Sequence, residues 1–200
     1  ILSEHPHECL LCHRRERCGP FDTCQRQVAV TERCVVCAKN GRCVLQWVAD
    51  HVGITEVRLR RHRRDLPIES TNPFIYRDHN LCILCARCVR SCEELQGVGA
   101  ISLINRGAKT FVGTAFHRPL DQSVCVLCGD CVEACHTGAI VDKPGGFKGL
   151  PDQRVRTVCG YCGVGCGMYL EVKDGKIIRV GGDTRNPTNL GSLCVKGRFG

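Results

Sequence analysis

Cys82-Ile83-Leu84-Cys85-Ala86-Arg87-Cys88-Val89-Arg90-Ser91-Cys92 and Cys125-Val126-Leu127-Cys128-Gly129-Asp130-Cys131-Val132-Glu133-Ala134-Cys135 are two copies of one pattern, C-x2-C-x2-C-x3-C. Each is followed by the same tag, Gly99-Ala100-Ile101 in the first copy and Gly138-Ala139-Ile140 in the second. A turn leading into a strand thus recurs with the cysteines, which makes this an internal repeat and not a chance spacing.

Three cysteines within seven residues can wrap three corners of a cubane cluster. The fourth is expected to open a helix that leaves the loop, so it points elsewhere. The spacing is that of a bacterial two-cluster ferredoxin, where the fourth cysteine closes the other copy's cluster. The expected sets are Cys82, Cys85, Cys88 and Cys135 for one [4Fe–4S] cluster, and Cys125, Cys128, Cys131 and Cys92 for the other. Zinc sites take two close cysteines and two distant ones, so the duplicated pattern disfavours zinc.

Composition agrees with a stapled chain. Among 200 residues there are 19 Cys and 22 Gly but one Trp, one Met and 5% aromatics, too few large side chains for a deep conventional core. An odd cysteine count excludes a complete disulfide set. No apolar run approaches the roughly 18 residues of a membrane span. The formal charge is +8, which alone invites nucleic acid. Nineteen thiolates and five oxidised cubanes would bring it to about −1. The densest basic run, Arg58 to Arg64, then reads as a solvated face or a contact for an acidic partner.

Residues 1–66 carry seven cysteines. His5, Cys9, Cys12 and Cys18 form H-x3-C-x2-C-x5-C. Only three cysteines are close here, and imidazole is a competent iron ligand. His5 is the candidate fourth donor; His7 stands at the wrong offset and His13 would have to fold back. Cys34, Cys37 and Cys43 repeat C-x2-C-x5-C, and Cys24 is left to complete their set. Gln25 to Thr31 reads as a short connecting helix. Val44, Leu45, Val48 and Val52 predict a helix over 42–52 whose apolar stripe packs on this site.

Leu66-Pro67 and Asn72-Pro73 mark residues 53–73 as a linker, and the Gly- and Pro-rich stretch 142–153 as a second. The expected domains are 1–66, 67–150 and 151–200. Within the ferredoxin-like unit, Ala100–Asn105 and Thr110–Thr114 read as strands joined at Arg106-Gly107. In the last segment Arg154–Val158 reads as a strand, followed by Cys159, Cys162, Cys166 and, far downstream, Cys194. Met168–Lys173 and Lys176–Val180 flank Asp174-Gly175, a type I′ hairpin signal that would return Cys194 to the other three. Gly160, Gly163, Gly165 and Gly167 are expected to let backbone approach a cluster. The donors then close on five cubanes: nineteen cysteines plus His5 make five sets of four.

The C-terminal segment, Gly160-Tyr-Cys-Gly-Val-Gly-Cys166 and Leu193-Cys-Val-Lys-Gly-Arg-Phe-Gly200, closely resembles the start of the catalytic subunit of molybdenum- or tungsten-dependent formate dehydrogenases. The upstream half resembles the iron–sulfur subunit of respiratory NADH dehydrogenase and its soluble relatives, in which the His pattern ligates a cluster. Together they resemble the alpha subunit of soluble NAD(P)-linked formate dehydrogenases. The resemblance implies an α+β chain of small irregular iron–sulfur domains, with a two-cluster ferredoxin-like unit in the middle and a hairpin-containing [4Fe–4S] domain of molybdopterin oxidoreductase type at the C-terminus. It places Lys196 as an electron relay between the last cluster and a bis-molybdopterin guanine dinucleotide carrying Mo or W, expected beyond Gly200 or on a separate catalytic subunit. It implies a diaphorase-type partner with FMN and NAD(P), a small [2Fe–2S] subunit or a [2Fe–2S] domain before Ile1, and a cytoplasmic setting. No catalytic residue is expected in this chain. Glu93 and His136 stand where simple ferredoxins have Pro. Two alternatives are the iron–sulfur subunit of an NADH-linked or electron-bifurcating hydrogenase or transhydrogenase, and, remotely, a zinc-rich nucleic-acid-binding module.

Overall fold

The computed structural model describes residues 39, 41–54, 66–143, 148 and 150–200. The expected helix at 25–31 and the basic run 58–64 lie outside them. Helix α1 spans Val44–Val52. Cys43 caps its start, Sγ accepting from the Gln46 N–H at 3.4 Å. Gly53, left-handed at φ 70°, ends it. The helix agrees with expectation; most of the site its apolar stripe is expected to pack on lies outside the described residues, and Val44, Val48 and Val52 are exposed with Trp47 while only Ala49 is buried. Docking comes from the preceding turn. Lys39 Nζ donates to the carbonyl of Val132 at 2.7 Å, and the Cys43 thiol donates to the carbonyl of His136 at 2.8 Å.

Part of the expected first linker is sheet. Strand β1 (Ile68–Glu69) pairs antiparallel with β2 (Ile75–Asp78). Asn72 shapes the turn between them, its Oδ1 accepting from the N–H groups of Phe74 and Ile75, each at 2.9 Å. Pro67 and Pro73 exclude helix, but extended backbone tolerates them.

Helix α2 (Arg87–Arg90) runs on into a π-helical turn, Ser91–Leu95. Strands β3 (Ser102–Ile104) and β4 (Phe111–Gly113) pair antiparallel as expected, joined through a 3-10 turn at Gly107–Lys109. Helix α3 (Asp130–Ala134) and strand β5 (Ile140–Asp142) complete the repeat. One expectation is corrected here: the fourth cysteine does not open a helix. Each helix starts before the third cysteine, because Ala86 and Gly129, both left-handed, end the loops and cap the helices. Cys92 then lies in the π-turn, and Cys135 ends α3.

The pairing is crossed. β5 pairs with β2, Tyr76 opposite Val141, so the strand entering the first copy binds the strand leaving the second. β3 leaves the first copy and binds β4, which enters the second. The core beneath is correspondingly shared: Val89 and Val132, at equivalent positions of α2 and α3, are both buried with Ile75, Leu81, Ile101, Leu120 and Ile140. Burial of each such side chain contributes about 1.5–3 kcal/mol.

Residues 153–182 form a separate antiparallel sheet, β6 (Gln153–Val158), β7 (Gly167–Lys173) and β8 (Lys176–Gly182), in that order. Asp174 (φ 49°) and Gly175 (φ 72°) are both left-handed, as a type I′ turn requires. Helix α4 (Val195–Phe199) packs back on the ferredoxin-like unit, where Phe199 stacks on Phe74 with ring centroids 4.9 Å apart.

Candidate metal centres

Thirteen cysteines fall among the described residues, all free thiols: Cys43, Cys82, Cys85, Cys88, Cys92, Cys125, Cys128, Cys131, Cys135, Cys159, Cys162, Cys166 and Cys194. His5, Cys9, Cys12, Cys18, Cys24, Cys34 and Cys37 lie outside those residues. Among the described residues no three His, Cys, Asp or Glu side chains gather tightly enough to hold one metal ion. In a cubane each thiolate binds a different iron, so a looser grouping is what that cluster needs.

The twelve cysteines from Cys82 to Cys194 act on one another's charge along the lines of the expected sets. Burial, then the thiolates of Cys135, Cys82 and Cys85, push the Cys88 thiol up to about 12. Burial and the thiolates of Cys128, Cys88, Cys125 and Cys92 push Cys131 well above the ordinary thiol value. Burial raises Cys125 and Cys128, and Cys92 acts on both. Each fourth cysteine therefore lies beside the opposite copy's loop, and Cys88 and Cys131 bring the two sets within each other's field. Such thiols stay protonated without a metal and release their protons to a cation.

The two loops share one backbone. Leu84 (φ 56°) and Ala86 (φ 57°) match Leu127 (φ 55°) and Gly129 (φ 77°). Leu84 N–H points at Cys82 Sγ and Leu127 N–H at Cys125 Sγ, both at 3.4 Å, and Ala100 N–H points at Cys92 Sγ at 3.3 Å. Left-handed residues in such loops form a concave nest of N–H groups that suits an anionic cluster. Soft thiolate donors in fours, with N–H groups aimed at their sulfurs, fit [4Fe–4S] clusters.

The C-terminal four are assembled by a loop. Asn189 accepts from Gly167 N–H at 2.8 Å and donates to the carbonyls of Gly167 and Ser192 at 3.1 and 2.7 Å. That clasp returns the chain from β8 to Cys194, beside the cysteine loop. Burial, then the thiolates of Cys159, Cys162 and Cys194, raise the Cys166 thiol. Of Gly160, Gly163, Gly165 and Gly167, only Gly165 is left-handed. Gly167 is small because Asn186 fills its space, with a Cβ there only 2.4 Å from Asn186 Nδ2. Lys196 is exposed in the first turn of α4.

Sequence reading missed the charged groups that join the C-terminal sheet to the second loop. Arg179 on β8 makes a paired contact with Glu171 on β7, Nε to Oε2 at 2.8 Å and Nη2 to Oε1 at 2.6 Å, and reaches Glu133 at 2.9 Å. Arg198 reaches the same Glu133 at 3.0 Å. The environment of Glu133 disfavours its charge, but Arg179, Arg198, Lys39 and Arg42 hold its pKa below the usual carboxylate range. Glu133 is 37% exposed, so solvent screens part of that effect. The available signal was the position of Asp130 and Glu133 on either side of Cys131, and of Arg198 four residues after Cys194.

Three family models match the chain: the NADH-ubiquinone oxidoreductase-G iron–sulfur binding region at residues 31–58, the ferredoxin-like domain of NADH-quinone oxidoreductase subunit 3 at 72–141, and the molybdopterin oxidoreductase Fe4S4 domain at 152–200. All three models describe iron–sulfur or ferredoxin-like domains, two from NADH dehydrogenase-type enzymes and one from molybdopterin oxidoreductases, and the matched segments are similar to these. An NADH-quinone oxidoreductase subunit of Rhizobium meliloti (strain 1021) is 37% identical over 174 residues, covering 84% of this chain and 20% of its own length. The alpha subunit of the NADPH-Fe(3+) oxidoreductase of Geobacter sulfurreducens is 37% identical over 169 residues, with the same coverage. This chain therefore spans about a fifth of the length of these relatives. Among solved structures, an NAD+-reducing [NiFe]-hydrogenase in the H2-reduced state matches with a TM-score of 0.51 and 25% identity, over 60% of this chain and 54% of that one. No helix among the described residues is long and apolar enough to cross a membrane.

Proposed function

We propose that residues 1–200 form the electron relay of an NAD(P)-linked oxidoreductase, holding [4Fe–4S] clusters between a flavin–NAD(P) partner and the catalytic site. The observation that carries this reading is the crossed repeat, whose two cysteine loops share one backbone and whose thiols act on one another across the two copies. Subunits of NADH- and NADPH-linked complexes among the relatives support the nicotinamide partner. When bound, the clusters supply one-electron redox chemistry. The chain's residues hold them in place, aim N–H groups at the sulfurs and bury the ligands.

The finer reading has five clusters, with His5, Cys9, Cys12 and Cys18 holding one, Cys24, Cys34, Cys37 and Cys43 another, and Lys196 leading from the last cluster to a Mo- or W-pterin site for formate or CO2. The motif around Cys194 and Lys196 and the molybdopterin-type family model support that assignment. The second reading, a hydrogenase, is favoured by the solved NAD+-reducing hydrogenase. Iron analysis of anaerobically purified protein tests the relay: about 20 iron per chain is expected from five cubanes, and saturation near 12 would remove the two clusters assigned to residues 1–66. Metal analysis of the intact complex separates the enzymes: full activity with neither Mo nor W rules out formate chemistry at a pterin.

A further inference from the structure

One side chain joins the last helix to the loop of the second copy. Arg198 is 4% exposed. Its Nε donates to the carbonyl of Cys128 at 2.8 Å, Nη1 to Glu133 at 3.0 Å and Nη2 to Asp130 Oδ1 at 3.0 Å. Its own N–H donates to the carbonyl of Cys194 at 3.0 Å. Gly129 makes the room: a Cβ there would lie 2.1 Å from Arg198 Cδ. A residue of the C-terminal domain thereby places a fixed cation among the ligands of a neighbouring set, over two carboxylates that flank Cys131.

We propose that Arg198 is a positioning residue that holds up the reduction potential of the cluster assigned to Cys92, Cys125, Cys128 and Cys131, and ties that cluster to the one at Cys159–Cys194. The inference rests on the relay reading above. Reduction adds one electron and one negative charge to a cluster while the donor cluster loses the same electron; no bond breaks and no proton is required. The buried guanidinium favours that added charge, and it shields Asp130 and Glu133, which oppose it. Hydrogen bonds from Cys194 through Arg198 to Cys128 form a short connected route between the two ligand sets.

The test is a redox titration of the cluster-loaded protein followed by EPR. In Arg198→Met the midpoint of this cluster should fall about 59 mV, a tenfold change in its reduced-to-oxidised ratio for one electron. Arg198→Lys should stay nearer the parent protein, and Asp130→Asn should raise the midpoint. The cluster of Cys82, Cys85, Cys88 and Cys135 should move less in each. A midpoint unchanged in all three variants, with iron retained, overturns the proposal. Should the Met variant lose iron, the Lys and Asn variants decide it, together with the parent protein: full reduction should produce spin–spin broadening between the two clusters, and its absence overturns the link. Parent protein without any iron–sulfur EPR signal would instead refute the relay reading.

Discussion

Ala86 and Gly129 occupy the same place in the two copies, and both are left-handed. For an L residue that conformation costs about 1–2 kcal/mol. Ala86→Gly should therefore leave the thermal midpoint of the cluster-loaded protein unchanged or raise it, by up to about 1 kcal/mol in stability. Gly129→Ala carries both the strain and the collision with Arg198, and should lower the midpoint clearly. Calorimetry of the two variants checks this; effects equal in size and opposite in sign would mean that Arg198 does not fill the space over Gly129. The repeat was legible in its cysteines, yet nothing in them distinguishes the two equivalent loop positions. Only the packing of α4 does so, by using one copy's loop and not the other's.

At the level of the hairpin, β7 and β8 place Glu171 opposite Arg179, both buried. Removing one partner of such a pair costs about 3–5 kcal/mol, so Arg179→Met should destabilise the C-terminal sheet by that order in chemical denaturation. The pair also has a pH signature. Burial opposes the Glu171 charge, but its hydrogen bond and attraction to Arg179 hold its pKa below the ordinary value. A carboxylate shifted downward stabilises the fold above its unfolded pKa, about 4.3, and that contribution disappears as pH falls through the folded value. Thermal midpoints between pH 3 and 7 should fall at the acid end in the parent protein and less so in Glu171→Gln; parallel profiles would exclude the pair as a source. The hairpin was readable from Asp174-Gly175 and the flanking alternation. The pair was not, since Glu171 and Arg179 have the sequence appearance of a solvated face. On α1, Val44, Val48 and Val52 have helical spacing yet are exposed, and the turn at Lys39 and Cys43 makes the hydrogen bonds to the second copy.

Across the described residues of the molecule the apolar core is thin. Beneath the two loops it consists of Val, Ile, Leu and Ala side chains interleaved with Cys88 and Cys135. Metal binding in so small a unit is part of the folding free energy. Anaerobic removal of iron by a chelator should abolish the cooperative thermal transition of the ferredoxin-like unit, read by circular dichroism; an unchanged transition would show that the apolar core suffices. The order of the segments was legible because cysteine spacing is local. The way they dock was not, because buried ion pairs such as Arg198 with Asp130 link residues 68 positions apart and leave no periodic trace.

The crossed strands carry a consequence for inheritance. Each half of the repeat lends its partner the edge on which that partner is built, β2 to β5 and β3 to β4. The arrangement is an exchange between two copies, closed within a single chain. Neither half can be deleted without stripping the other of its strand partners, so the two sheets of this unit are inherited as one.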